Sequence, residues 1–283
     1  MKPMLKYRGG KSKEIPRIME HIPVFNGRYI EPFLGGGAVF FHIEPEHAVI
    51  NDINTPLMAF YQGVRDNYTA LRQELDAVEN LYDNNRTAFD TLKALHPNER
   101  VEDNNEALYY EIRDMYNNLV EKRYSDALLY YFINKTAYSG MIRYNASGEF
   151  NVPFGRYKSI NTRLITERHS ELLQRTELFN ADYSEIFHMS RQGDFMFLDP
   201  PYDCVFSDYG NNGYREGFSE DAHRKLAQDF RNLGCMSMMV IGRTPLTEEL
   251  YHDLIVDEYD KQYSVNIRNR FKSESTHLVI TNY

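Results

Sequence analysis

The run Phe195-Met196-Phe197-Leu198 has no polar side chain, and it stops on Asp199-Pro200-Pro201-Tyr202. Four apolar residues in succession suit a strand covered on both faces, the state of a parallel strand inside an α/β sheet. The two prolines remove N–H donors and fix φ, so the backbone after Leu198 leaves the ladder stiff and extended. An acid, a carbonyl and a flat ring then stand at the carboxyl end of a strand, where open α/β sheets take their ligands. A rigid turn closing a buried strand explains this tetrapeptide equally well. The rest of the chain decides between the two.

The 283 residues suffice for one large domain or two modest ones. A net charge of −9 argues against a generally basic nucleic-acid coat, so any nucleic-acid surface must be a local patch. The two cysteines, Cys204 and Cys235, exclude a disulfide scaffold and suit a reducing, cytoplasmic compartment. His42 and His47 have no cysteine or further histidine beside them, so no metal site is expected. Neither a signal-peptide core near Met1 nor an apolar run of about 18 residues is present, and no membrane span is expected.

A short strand at Arg28–Phe33, the loop Leu34-Gly35-Gly36-Gly37 and a helix at Ala38–Ile43 begin a nucleotide-type α/β unit. A dinucleotide fingerprint would need Gly or Ala where Phe40 stands, so an adenosyl ligand without phosphates fits better than NAD. The next strand, Ala48–Asn54, reaches Asp52, well placed to accept bonds from ribose hydroxyls. Asp52 also suits an Asx turn, with Asn54 or Thr55 capping the helix after it; both uses are compatible. At the amino end, Gly10-Lys11-Ser12 hints at a phosphate loop. The spacing refuses it, because Leu5 holds the earlier glycine position. Tyr7-Arg8-Gly9-Gly10-Lys11 is then either a flexible arm before a helix or a lid whose glycines admit a ligand.

From about 57 to 132 the pattern is helical and polar, with Leu71, Leu75 and Val78 on one face and a loop over 96–106. This reads as an insertion between the second and third strands. Residues 133–169 change character. Lys135, Arg143, Arg156, Lys158, Arg163 and Arg168 oppose only Glu149 and Glu167, with five aromatic residues interleaved. With Ser139-Gly140 and Ser147-Gly148 as turns, this segment is either a groove-reading hairpin or a solvated basic loop. A helix over 164–173, a strand at Leu178–Tyr183 that includes Asp182, and strands at Met236–Ile241, Leu254–Val256 and Leu278–Ile280 complete the sheet. The basic stretch Asn266–Lys272 joins the last two and could touch phosphate.

Asp52, Asp182 and Asp199 thus fall at strand ends beside one glycine loop, across which a nucleoside-like ligand fits. The exocyclic amine of a heteroaromatic base is a poor nucleophile because its lone pair is delocalised. The Asp199 carboxylate and the Pro200 carbonyl together can accept both amine hydrogens and free that lone pair, while Tyr202 offers a stacking face. A base in a duplex must leave the stack to reach such a pocket. A cytosine-C5 enzyme would instead need a nucleophilic cysteine, and the context of Cys204 does not supply one.

In order, Lys6–Lys11, Glu31–Gly37, Asn51–Asn54, Ser139–Asn145 with Gly148–Gly155, and Asp199–Tyr202 resemble the Dam-type, α-group (D12 class) DNA adenine-N6 methyltransferases over nearly the whole chain. The resemblance implies an α/β fold: a Rossmann-like, seven-stranded, mostly parallel methyltransferase sheet with an inserted helical and β-hairpin target-recognition domain. It implies a catalytic domain at 1–56 and 160–283 and a DNA-binding domain at 57–159. S-adenosylmethionine is the implied donor, leaving as S-adenosylhomocysteine. Tyr7, Lys11, Phe33, Gly35, Asp52 and Asp182 would border it, and Asp199 would be shared between donor and target. Relatives with this hairpin commonly modify GATC or sites beginning GAT. Arg143 would read a guanine, and Ser139, Met141, Asn145, Arg156 and Lys158 would contact DNA beside it. Two features depart from the pattern: Tyr7, where many relatives have Trp, and the long acidic helical stretch 74–126, which puts the target site in doubt. Expected partners are duplex DNA and a cognate restriction endonuclease, and the chain is expected to act as a monomer, native to a bacterium or expressed from a phage or mobile element. The competing readings are an amine methyltransferase acting on RNA or on protein glutamine, and a catalytically idle DNA-binding regulator.

Overall fold

The computed structural model describes residues 1–7, 9–202, 218–262 and 274–283, the side chains of 262, 274 and 275 excepted. Arg8, Cys204 and the 266–272 stretch lie outside the described residues. Among the described residues, seven strands form one sheet: β1 Tyr29–Glu31, β2 Ala48–Asn51, β3 Thr176–Phe179, β4 Phe195–Leu198, β5 Met236–Gly242, β6 Ile255–Gln262 and β7 Glu274–Thr281. Their order is β3-β2-β1-β4-β5-β7-β6. The first five run parallel, and β7 is antiparallel to both β5 and β6.

Period-2 alternation sorts the strand residues into two layers. Phe195 and Phe197 of β4 join Tyr29, Ile50, Met238 and Val240 on one face. Met196 and Leu198 join Ile30, Val49, Met239 and Ile241 on the other. All four β4 side chains are fully buried, each worth about 1.5–3 kcal/mol relative to exposure. The second face is covered by α8 (Tyr183–His188), α9 (Glu220–Arg231) and α10 (Pro245–Tyr251). The first is covered by α1 (Ile15–His21), α2 (Ala38–Ile43), α3 (Thr55–Asp66), α7 (Glu167–Gln174) and the helices between β2 and β3.

Those intervening helices share the core of the sheet. In α4 (Tyr68–Leu95), Leu71, Leu75, Val78 and Tyr82 are buried, and beyond Tyr82 the helix projects with Leu92 and Leu95 exposed. After α5 (Asn104–Tyr116), α6 (Asp126–Thr136) is buried from Ala127 to Thr136, the state expected of a helix apolar on nearly every side. The apolar cluster runs without a break from β1 and β4 through α3 and α6 to Phe150 and Phe154.

Several boundaries differ from the sequence reading. The strand expected at 178–183 is Thr176–Phe179. Asp182 Oδ1 accepts from Ser184 N and caps α8, which draws the chain out of the sheet early. Asn54, rather than Thr55, caps α3 by accepting from Leu57 N. The hairpin at 137–154 is held by two isolated antiparallel bridges, Tyr144–Phe150 and Ala137–Phe154, instead of a continuous ladder. Pro153 and the left-handed Ser139, Gly140 and Gly148 interrupt the pairing.

The carboxyl edge of the sheet is tied together by Asn51. Its Nδ2 donates to the carbonyls of Pro32 and Ala181, and its Oδ1 accepts from Ala181 N. Asn51→Ala orphans these buried groups and should cost about 3 kcal/mol. The check is a lower denaturant midpoint at unchanged slope.

Candidate active site

A cleft open to solvent lies at the carboxyl edge where β1 and β4 adjoin. That is the reversal point of the strand order, where open α/β sheets take their ligands. Its walls follow the strand ends: Pro32–Gly37 after β1, Asp52 and Ile53 after β2, and Asp199–Tyr202 after β4.

The glycine loop is built for close approach. Gly35 has φ +49°, and a Cβ there would stand 2.7 Å from the Tyr7 ring. Its N–H donates to Asp52 Oδ2, and its carbonyl accepts from Tyr61 Oη. Asp52 Oδ1 accepts from Asn54 N, so the Asx turn is present and the carboxylate is fixed in place. Burial pushes the Asp52 pKa up, against those two N–H bonds. An adenosyl group fits this donor set: a backbone cradle that only glycine permits, and a fixed acid at the tip of β2.

Lys11 opens a 3-10 turn, Lys11–Lys13, and its side chain is only 2 % exposed. Its Nζ donates to Asp199 Oδ1 at 2.5 Å, to Tyr202 Oη at 2.8 Å and to Gly9 O at 3.3 Å. All three ammonium hydrogens are engaged, as a buried ammonium requires. The arm is therefore folded onto the β4 loop.

Of the residues expected to border a donor, Tyr7, Lys11, Phe33, Gly35, Asp52 and Asp199 line this cleft, as do Pro200 and Tyr202. Asp182 is not among the lining residues; its neighbours Ala181 and Tyr183 take that place, and its Oδ1 is committed to capping α8. The residues expected to contact DNA stand apart, around the 137–158 segment. Arg143 is exposed, and its Nε donates to Asn151 Oδ1 at 2.9 Å. Ser139 is exposed and left-handed, and Met141 is half-buried against the core. Asn145 closes its own turn by accepting Glu149 N. Arg156 lies 3.6 Å from Glu106, and Lys158 is exposed. The segment meets the arm at Lys6, whose Nζ sits 3.8 Å from the centre of the Tyr157 ring.

Two residues escaped the sequence reading: Glu31, which lines the cleft, and Tyr61, which bonds the Gly35 carbonyl from outside the lining. Tyr61 carried no signal beyond helical core spacing. Glu31 did, as an acid ending an otherwise apolar strand. Its Oε2 accepts from Tyr29 Oη at 2.7 Å and from Phe40 N at 3.2 Å. Complete burial, helped by the nearby Asp199 charge, pushes its pKa up to about 8. The folded state therefore holds a proton that the unfolded chain releases near its ordinary value of 4.5. From this group, stability falls as pH rises from about 4.5 to about 8. Glu31→Gln cannot ionise, so its melting temperature should gain on the wild type between pH 6 and 8, as thermal denaturation across buffers will read.

The comparisons with known proteins agree with this geometry. Residues 7–267 match the family model of the D12 class N6 adenine-specific DNA methyltransferases. The chain is 35% identical over 291 aligned positions to the Type II methyltransferase M.CviBI of Paramecium bursaria Chlorella virus NC1A, covering 100% of both chains. It is 32% identical to the Type II methyltransferase M.MjaIII of Methanocaldococcus jannaschii, over 82% of this chain and 80% of that one. It is 28% identical to the DNA adenine methylase of Salmonella typhimurium, over 87% and 83% respectively. The chain belongs to the D12 class of N6 adenine-specific DNA methyltransferases.

Proposed function

We propose that this enzyme, which methylates DNA from S-adenosylmethionine, acts on N6 of an adenine flipped out of duplex DNA within GATC or another GAT-containing site. The observation that carries the reading is the adjacency of Asp199, Pro200 and Tyr202 to the glycine cradle and Asp52 in one cleft. When bound, S-adenosylmethionine supplies a methyl group on a positively charged sulfur. Tyr7, Lys11, Phe33, Gly35 and Asp52 hold the donor side, and Asp182 acts near the adenine ring of the donor from just outside the lining.

Asp199 and the Pro200 carbonyl accept the two hydrogens of the target amine and draw its lone pair out of conjugation. Lys11 engages Oδ1, and Oδ2 is the acceptor for the amine. Tyr202 stacks on the extruded ring. Holding the amine in line with the methyl group supplies much of the rate. Residues 57–159 form the target-recognition unit, and the rest form the catalytic unit. Arg143 reads guanine through O6 and N7, with Asn151 steadying its guanidinium, and Ser139, Met141, Asn145, Arg156 and Lys158 contact the flanking DNA. The enzyme works as a monomer on DNA in a bacterial cytoplasm, whether native or expressed from a phage or mobile element. A cognate restriction endonuclease is its functional partner, a reading supported by the Type II names of two relatives.

Sequencing that maps N6-methyladenine in host DNA expressing the chain should find it within GAT-containing sites; methylation confined to other contexts overturns the site assignment. Asp199→Ala should abolish turnover in a labelled-methyl assay, in a protein that still folds but melts at a lower temperature because the buried Lys11 ammonium loses its carboxylate partner. Arg143→Ala should cost about 1–3 kcal/mol of discrimination at one guanine. A uniform loss of affinity across all sequences would make it a phosphate contact instead.

A further inference from the structure

A second polar cluster lies behind Tyr202. Glu14 is 5 % exposed and His277 fully buried, and they are joined at 2.7 Å between Oε2 and Nδ1. Tyr259 Oη donates to the same oxygen at 2.7 Å, and Lys261 Nζ stands 2.6 Å from Oε1. Burial by itself would raise the Glu14 pKa. The bond to His277, the charge of Lys11 and the bonds to Lys261 and Tyr259 overcome it, holding the carboxyl down at about 2. Three chain segments thus meet at one ionised carboxylate: the 3-10 turn whose end bears Glu14, β6 and β7.

Each segment leads to the cleft. Glu14 N donates to Lys11 O at 2.8 Å, closing the turn that holds the Lys11 ammonium on Asp199 and Tyr202. Lys261 Nζ also reaches Gly9 O, the carbonyl that Lys11 Nζ shares. The His277 ring meets the Tyr202 ring edge-on, 5.2 Å between centres at 86°. The Tyr202 ring is therefore held at its hydroxyl by Lys11 and at its flank by His277. A ring fixed at two points keeps one orientation, and a buried ionic group anchored by several bonds selects one arrangement of its neighbours.

We propose that Glu14 and His277 are positioning residues for methyl transfer: the buried pair sets Lys11 and the Tyr202 ring so that the target base meets Asp199 in one geometry. The inference rests on the reading of Asp199 and Tyr202 as the target-base site. It concerns residues that do not line the cleft. Their effect belongs in the chemical step, where a misplacement of about 1 Å costs on the order of 100-fold.

The test uses the full chain with His277→Asn, which keeps an N–H donor at the Nδ1 position but removes the ring, and Glu14→Gln, which keeps shape but removes charge. Single-turnover methyl transfer, dissociation constants for donor and DNA, and melting temperature are measured on each. Fluorescence of 2-aminopurine at the target position reports stacking of the extruded base. The expected result is a roughly 10- to 100-fold slower single turnover, with both dissociation constants within about two-fold and brighter 2-aminopurine as stacking on Tyr202 loosens. Wild-type rates in a folded variant overturn the inference. So does loss of the fold in both variants, or a defect confined to binding, because the pair then serves the fold or the ligand sites. A wild-type protein that forms no N6-methyladenine defeats the underlying reading instead, and the two failures are separate.

Discussion

The active cleft depends on one strand pairing. Tyr29 and Ile30 of β1 lie beside Phe195 and Met196 of β4 in parallel register. Parallel neighbours end at the same edge, so the glycine loop after Glu31 and the Asp-Pro-Pro-Tyr segment after Leu198 emerge side by side. The pairing is secured by burial on both faces: Phe195 and Phe197 fill one layer, Met196 and Leu198 the other. A one-residue slip would exchange every one of these side chains between layers of different shape. The geometry between the glycine loop and the Asp-Pro-Pro-Tyr segment is thus inherited from the core rather than from either loop.

On that frame the molecule places few charges, and each is confined. Lys11 neutralises Asp199, Asp52 is held by two backbone N–H groups, and Glu31 avoids charge by keeping its proton. Glu14 stays ionised because four partners surround it. Two buried acids therefore take opposite protonation states, and the difference lies in their neighbours: a tyrosine hydroxyl and a backbone N–H for Glu31, but cations and an imidazole for Glu14.

The inserted helices show how function and stability share residues. Had they formed a separate body, the recognition segment would be tied to the sheet only by linkers. Instead α6 is buried in the core, and its C-terminal end meets the arm: Asn134 bonds both N and O of Lys6. The arm that bears Tyr7 and Lys11 is thereby fixed between α6 and the loop after β4.

Much of this was legible in the sequence because the informative groups are contiguous. The apolar run of β4 and its proline stop, the glycine loop, Asp52 one residue past β2, and the basic aromatic segment each declare themselves within a few residues, where local backbone rules apply. The strand end near Asp182 was misplaced, because a side-chain cap competes with strand pairing and the winner depends on Asn51 from another strand. Contacts across the chain were not legible at all. Lys11 and Asp199 are 188 residues apart, and Glu14 and His277 are 263 apart. Periodicity tells which face of an element is buried but not which distant side chain it meets. Composition and motif determined the class of chemistry. The fold alone settled that Lys11 sits on Asp199 and that His277, paired with Glu14, lies against the Tyr202 ring, since those contacts follow from the order of strands in the sheet.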